Sequence, residues 1–596
     1  MTLPIPDLDD KSFDQLIDDA RSLIPLYAPQ WTDHNANDPG ITFIELFAWL
    51  IESEIYRINL ITDRHKLKYL KLLGIKPNSR MPAKVDLTFH PNIKTISNEK
   101  ISKGTIVSTE VSDKKNYFEL AEDIIIAPVN LKKIIVDEST AGVFDRTGTN
   151  EDGDLFFTPF GLNVKKHCAF YLGFDKGPDT LSFACNLYEK DLIKPGEHEY
   201  DIPENEKLEN VRLRWEISSP SDGTNWVGIS PVDGTDNFNK SGRIIFESIK
   251  GWISSTIAVW KDDTKYFWIR CTIEKSCYEY PPRIETIRLN TVLAVQGLTI
   301  RDGSEQAKGS GLPYQVVNIR SFPIRKGTVR LSVSIIKCKN GEEWEEVDDL
   351  DGSGPDDLHF ILNEEKGTIG FGDDLNGMIP PADSIINIIQ YMTCNGEDGN
   401  VKHGLDWEIE GFNGTIQNLR PSTGGADAEN VEKAIERFII DLKKPYRAVT
   451  SEDFEFITRN TPGLRVAIAK AVPNYNPYDN EYSEGAVTMV VIPFTPLDIF
   501  ETPPEPSESF KDRICRHLDR HRLLCTDIYI IPPVYVMVDI NVTILLKPGF
   551  SDEVLRQNVI SKLNRFINPI RGWANSKGWP VGRDVFRSEI YSLIEE

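Results

Sequence analysis

The sequence predicts a multi-domain α+β protein. Three observations predict it. Apolar residues recur at helical spacing through the first 77 residues, the period shifts to two between about 85 and 410, and helices return after Gly424-Gly425 around a long alternating stretch. A chain of 596 residues has room for about four domains at roughly 150 residues each, each with its own core.

The N-terminal segment, residues 1–77, is predicted helical. Ser12 and Gln15 have capping-box spacing, and Phe13, Leu16, Ile17, Ala20, Leu23 and Ile24 follow as one apolar stripe. The stretch Pro25 to Gly40 breaks the pattern. Asp38 then fits an N-cap with Pro39 in the first turn, and Thr42 with Glu45 offers a second start one turn later. Phe43, Leu46, Phe47, Leu50, Ile51, Ile55 and Ile58 form the expected buried face. A third helix carries Leu67, Leu70 and Leu73, with Gly74 and Pro77 as stop signals.

Short runs rich in Val, Ile, Phe, Tyr and Trp, separated by Gly, Pro, Asn and Asp, predict β modules next. Borders are expected near Ala141–Gly153, Tyr280–Pro282 and Ala294–Gly311. They delimit a small β module at 78–140, a sandwich-like module at 141–295, and a β-rich module with a hairpin turn at 296–425. The last domain, 426–596, reads as α+β. Val431, Ala434, Ile435, Phe438, Ile439 and Leu442 form a helical stripe, and Thr450 with Asp453 caps a short helix ended by Pro462-Gly463. Strands are predicted near Leu464–Val472 and Ala486–Pro493, and helices near 508–524 and 552–568. Val534, Val536, Val538, Ile540, Val542 and Ile544 alternate with polar and mixed residues, which predicts one strand with one buried face.

Composition narrows the function classes. The chain is 40% hydrophobic and 27% charged, as a folded protein is, and its net charge is −24. Wrapping nucleic acid or lying on an anionic membrane rewards the opposite sign. The N-terminus has no basic and apolar leader, no run approaches the ~20 apolar residues of a spanning helix, and the eight cysteines form no CxxC pair. The expectation is reduced thiols in a cytosol.

Four constellations could carry chemistry. Cys515, His517, His521 and Cys525 include an i, i+4 histidine pair that could chelate zinc. Arg516, Arg520 and Arg522 oppose a dication there, and an amphipathic helix with a basic outer face is the plainer reading. Asp373-Asp374 could be paired carboxylates or a calcium loop, but the surrounding glycines and Asn376-Gly377 favour a tight turn. Gly424-Gly425 before a helix could cradle a phosphate or simply turn the chain. Trp215, Trp226, Trp252, Trp260 and Trp268 could line a sugar-binding face, or be core and sheet pairs. No GxSxG, HExxH or GxxxxGK[ST] motif is present. The expectation is no catalytic, metal or cofactor site.

The stretch Pro29-Gln-Trp-Thr-Asp-His-Asn-Ala-Asn-Asp-Pro-Gly-Ile-Thr-Phe-Ile-Glu-Leu-Phe-Ala48 closely resembles the N-terminal signature of the baseplate J-like family of wedge proteins, in the variety found in extracellular contractile injection systems. Further segments follow in the family's order: Ile101 to Thr109 with Tyr117-Phe-Glu119, Leu213-Arg-Trp-Glu216 with Trp226 and Asp233-Gly-Thr235, Trp268-Ile-Arg270, and Tyr280-Pro-Pro282. Gly367 to Asp373 with Pro380-Pro381, Gly399-Asn-Val401, Gly424-Gly425, Arg447-Ala-Val-Thr450 with Asp453, Pro462-Gly463 and Gly578 to Arg583 continue it to the baseplate-J-like C-terminal domain. Asp374 departs from the family's Gly, so the turn is expected to differ in φ, and Val581 replaces a common Phe. Tyr591 to Glu596 stand where relatives continue into another strand.

The resemblance implies a structural wedge subunit, assembled in the bacterial cytoplasm into a phage-tail-like particle. Its implied partners are a second wedge-type protein, the sheath-initiating protein, the spike or hub, and neighbouring copies in a six-fold ring that triggers sheath contraction. It implies no nucleic acid and no direct membrane insertion. Phe43, Phe47, Trp49, Leu50 and Tyr56 give apolar groups around more than one helix face, more than three short helices can bury alone, and are the expected inter-subunit contact. A contractile-tailed phage baseplate fits the same residues. A β-modular glycan-binding or glycan-active protein is the reading from a different class.

Overall fold

The first two N-terminal helices begin where a side chain can satisfy free amide groups. In the computed structural model of the chain, the Phe13–Tyr27 helix starts with the Gln15 carboxamide accepting from the Ser12 N–H at 3.0 Å. This helix does not break at Pro25 but runs to Tyr27. A proline in the last turn removes a single donor from a ladder that is about to end. The Pro39–Asn59 helix is capped by Asp38, whose carboxylate accepts from Gly40 N–H at 2.6 Å and Ile41 N–H at 3.4 Å. Asp38, not Thr42, therefore sets the start. Gly40 is required here: a methyl group on it would lie 2.4 Å from the Trp31 ring. The Asp63–Leu72 helix ends in a Schellman turn, with Gly74 at φ +75°, Ile75 N–H bonded to the Leu70 carbonyl and Gly74 N–H to that of Lys71, both at 2.9 Å.

The structure describes residues 9–595 except 36, 60–62, 93–98, 112–113, 140–141, 152–154, 163, 197–210, 220–225, 277, 279, 302, 304, 335–340, 480, 497–502, 546–551 and 574–577. It is a mixed α+β, multi-domain fold. Two compact units are distinguished: Met1–Arg80 with Asp427–Lys443, and Met81–Ala426 with Lys444–Glu596.

The first unit is all helical. The Val431–Asp441 helix, capped by Asn430 on Lys433 N–H at 2.8 Å, joins it through ion pairs. Arg437 grips Glu429 with two nitrogens at 2.9 and 3.0 Å, Lys66 meets Glu432 at 3.0 Å, and Arg80 meets Asp427 at 2.8 Å. Burial corrects the sequence reading of this unit. On the Pro39–Asn59 helix only Ile41, Ala48 and Ile55 are buried, at i, i+7 and i+14. Of the seven residues expected inside, Ile55 alone is; Phe43, Leu46, Phe47, Leu50, Ile51 and Ile58 are exposed. One narrow stripe is all that neighbouring helices of this length can cover.

The second unit is nested, not strung in sequence order. Lys84–Pro91 is a central strand of a six-stranded sheet, and its neighbours are Thr291–Gln296 and Gly414–Gln417. The same sheet holds the Ile106–Val111 and Lys114–Leu120 hairpin and the short Glu408–Ile409 strand. Between the two halves of this sheet the chain builds a sandwich of a six-stranded and a four-stranded layer, running from Leu131–Asp137 to Ile284–Leu289. Its core is Phe160, Phe170, Phe174, Phe183, Trp215 and Phe246 with aliphatic neighbours. Arg330–Ser334, Glu342–Val347 and Ile385–Met392 belong to a further sheet, closed over Phe360, Ile369 and Phe371.

The C-terminal region is α+β. The Ser451–Arg459 helix is capped by Thr450 and Asp453 in both directions, at 3.2 and 2.8 Å. Strands Val466–Asn476 and Glu481–Pro493 pair antiparallel, and Asp527–Ile531 adds in parallel. Helices Glu508–His521 and Asp552–Phe566 fall where expected. The strand expected over Val534–Ile544 does not form: residues 532–545 join no sheet among the described residues, and Val534 and Val536 are 93% and 82% exposed. Pro532 and Pro533 explain where the ladder stops. They follow the Asp527–Ile531 strand directly and remove two consecutive donors.

Candidate functional site

The Pro39–Asn59 helix carries the surface most in need of explanation. At about 100° per residue, Phe43 and Leu50 fall on the side opposite Ile41, Ala48 and Ile55, and Phe47 on one flank of that stripe. Trp49 and Tyr56 form a second row. Their exposures are 60% for Phe43, 59% for Phe47, 44% for Leu50, 57% for Trp49 and 70% for Tyr56. The Phe13–Tyr27 and Asp63–Leu72 helices also expose large apolar residues: Leu23, Leu26, Tyr27, Tyr69 and Leu72. Scattered apolar residues are normal on a surface; a contiguous group of large ones is what marks an interaction surface.

The polar constellations resolve into structure. Asp373 accepts from Leu375 N–H at 3.1 Å, Asn376 N–H at 2.8 Å and the Tyr314 hydroxyl at 2.7 Å. The Tyr314 bond is the largest influence holding its carboxyl below the usual range. Asp374 has φ +62° and accepts from Ile379 N–H at 2.7 Å. Asp374 thus holds a left-handed backbone, with its side chain closing the loop. Gly424, at φ +86°, and Gly425 form a close-approach turn. A methyl on Gly425 would lie 2.4 Å from the Gly396 carbonyl, and its N–H is already bonded to Asn400 at 3.0 Å.

The tryptophans pack within the sandwich module. Trp215, Trp252 and Trp268 are buried, and Trp252 and Trp268 donate to backbone carbonyls at 3.1 and 2.9 Å. Trp226 lies under the Arg270 guanidinium at 4.2 Å, and Trp260 packs partly buried on the outer cluster around Trp268.

His517 and His521 stand on the buried face of the Glu508–His521 helix, ring centroids 4.7 Å apart. Cys515 is partly exposed and Cys525 exposed. Among the described residues no three His, Cys, Asp or Glu side chains converge as a metal-binding group, so the four are not brought together as a ligand set. The His521 Nδ1–H donates to the Tyr446 carbonyl at 2.7 Å. Burial pushes the His521 pKa down, and the charges of Arg447 and Arg520 push it further, against the Tyr446 bond. A histidine whose folded pKa is depressed contributes stability that is present above its unfolded pKa of about 6.5 and is lost as pH falls through the folded value. The C-terminal α+β region should therefore lose thermal stability between pH 7.5 and 5, and His521→Gln should flatten that slope. Melting curves across this range test it; an unchanged slope in the variant refutes it.

No family model matches the sequence, and no curated protein matches it. Several chains of solved structures match, among them the following two. A chain of the type VI secretion system TssK-TssF-TssG baseplate subcomplex matches at 10% identity, over 85% of this chain and 99% of that one, with a TM-score of 0.41. A chain of the anti-feeding prophage baseplate matches at 13% identity, over 97% and 83%, with a TM-score of 0.34. Both scores are too low to establish a shared fold, and the functional reading rests on the chain's own residues.

The five residues proposed from the sequence as an inter-subunit contact are all exposed, and further exposed apolar residues lie on the neighbouring helices. Leu26, Tyr27 and Leu72 lie at helix ends, where a stripe-based reading stops. Sequence reasoning missed a cleft in the second unit lined by Arg283, Arg465 and Arg513. Those residues lie far apart in sequence, and no local pattern joins them.

Proposed function

We propose that this chain is a structural wedge subunit of a phage-tail-like contractile baseplate, acting by assembly and without catalysis. The exposed apolar surface of the N-terminal helices carries this reading. Such a surface costs solubility unless a partner covers it, and helical partners are the simplest match. The ordered signature along the sequence supports the same reading. Among its segments are caps and turns: Asp38 and Gly40 at a helix start, Asp373-Asp374 and Gly424-Gly425 at tight turns, Thr450 and Asp453 at another cap.

In this proposal the first unit packs into an inter-subunit helical bundle with a second wedge-type protein and links to the sheath-initiating layer. The β modules act as spacers and docking plates beside the spike or hub. The C-terminal region meets neighbouring copies in a six-fold ring whose contacts have two arrangements, before and after contraction. The particle is assembled in the bacterial cytoplasm.

The test is co-expression with the neighbouring baseplate proteins. Phe47→Asp with Leu50→Asp should abolish co-purification with the partner wedge protein. Both side chains are already in water, so the β modules should melt as in the parent chain. Assembly that survives the double change overturns the proposal.

A further inference from the structure

A cleft of about 340 Å³ lies inside the second unit, where the sandwich meets the C-terminal α+β region. Its lining reverses the chain's charge. The protein as a whole is at −24, yet the walls present Lys240, Arg283, Arg465 and Arg513 against Glu189 and Asp236. Two of the four cations are spent. Arg283 is held by Asp191 at 2.5 and 2.9 Å. Arg465 is satisfied by Glu189 and the Tyr280 hydroxyl, both at 2.8 Å, and by the Ile193 carbonyl at 2.9 Å. Lys240 and Arg513 have no carboxylate partner among the described residues.

The rest of the lining is aromatic. Tyr188, Phe238, Tyr278 and Phe494 face the cleft, and the Tyr278 hydroxyl is used by the Asn237 carbonyl at 2.7 Å, so the ring is what it offers. The first turn of the 14-residue Glu508–His521 helix adds Ser509 and Phe510 to the wall and brings its positive end to the same place. One rim is an unusual backbone. Asp236, Asn237 and Phe238 stand in succession at φ +52°, +55° and +59°. A left-handed backbone is disfavoured at residues other than glycine. Asp233 fixes this run by accepting from Thr235 N–H at 2.7 Å, Thr235 Oγ1 at 2.6 Å and Asn237 N–H at 2.9 Å. The strained turn sets Phe238 into the wall and Lys240 at the mouth.

We propose that this cleft binds a carboxylate attached to a flat apolar group. One free guanidinium and one ammonium match a single carboxylate, and the rings accept the apolar body. The same chemistry is offered by a small aromatic acid and by the terminal aromatic residue of a partner polypeptide. This site does not depend on the baseplate reading.

Benzoate is the probe, titrated calorimetrically into the full chain at pH 7.5 and low salt, with benzyl alcohol as its neutral counterpart. Benzoate should bind saturably and about tenfold more tightly than the alcohol, the size of one charge-assisted contact. Arg513→Gln with Lys240→Gln should bring benzoate down to the alcohol's affinity without moving the thermal midpoint. Equal binding of acid and alcohol, or an unaltered benzoate affinity in the double variant, overturns the site. Should the double variant fail to fold, the acid-against-alcohol comparison on the parent chain still decides. N-acetyl-Gly-Gly-Tyr as free acid and as amide then separates the sources. A free-acid peptide tighter than benzoate assigns a chain terminus, and benzoate tighter than the peptide assigns a small acid. An amide that binds as well as the acid refutes the carboxylate.

Discussion

Asp191→Ala is expected to destabilise the sandwich module by about 3–5 kcal/mol, the range for removing one partner of a buried ion pair. The Arg283 side chain is 1% exposed and lies between the Phe156 and Tyr188 rings at 4.8 and 5.2 Å. Without Asp191 the guanidinium would lose both of its short carboxylate contacts while staying sealed in that slot. Burial alone would raise the Asp191 carboxyl, but the hydrogen bond and charge of Arg283 outweigh it and hold the pKa below the ordinary value. The stability this gives is present above the unfolded pKa of about 3.9 and is lost as pH falls through the lower folded value. The variant should therefore show a lowered transition for this module at pH 7 and a shallower acid limb. Asp191→Ala combined with Arg283→Met should recover part of the loss by removing the stranded charge. A single variant that melts like the parent would show that Arg283 finds another partner.

Trp268→Ala should cost the same module about 3–5 kcal/mol, as deletion of a large buried aromatic does. The ring is 1% exposed, its N–H donates to the Ser255 carbonyl at 2.9 Å, and Gly173 lies beneath it with room for nothing more: a methyl there would meet the ring at 2.8 Å. Trp260→Ala, on the partly buried edge of the same cluster, should cost much less. Because the chain has several cores, whole-chain denaturation will not be two-state, and hydrogen exchange of the Phe267–Lys275 strand is the sharper measurement. Equal losses from both substitutions would contradict this ordering of the tryptophans.

Local chemistry was legible in the sequence, and remote pairing was not. The caps at Ser12, Asp38 and Thr450 were readable because a capping side chain and its amide lie within three residues. The Val466–Asn476 and Glu481–Pro493 strands were readable from composition and punctuation. Three features escaped. The return of Thr291–Gln296 to Lys84–Pro91 is a tertiary choice among many apolar strands. The alternation of Val534 to Ile544 fits a strand, but alternation says nothing about whether an edge is available to receive it. The stripe on the Pro39–Asn59 helix was read as its inward face, while Ile41, Ala48 and Ile55 hold that place. A helix apolar on most of its circumference does not announce which side its own chain will cover. The five interface candidates stood out for the same reason, an excess of apolar groups over the area available to bury them.

The pairing of Phe89 with Ile416 has a consequence for how the protein is made. During synthesis Lys84–Pro91 leaves the ribosome with both flanks vacant; Thr291–Gln296 fills one about two hundred positions later and Gly414–Gln417 the other more than three hundred positions later. At about 5–20 residues per second, the vacancies persist for tens of seconds. Throughout that interval the nascent chain offers an unsatisfied row of amides and carbonyls, a target for wrong strands and for chaperones that shield them.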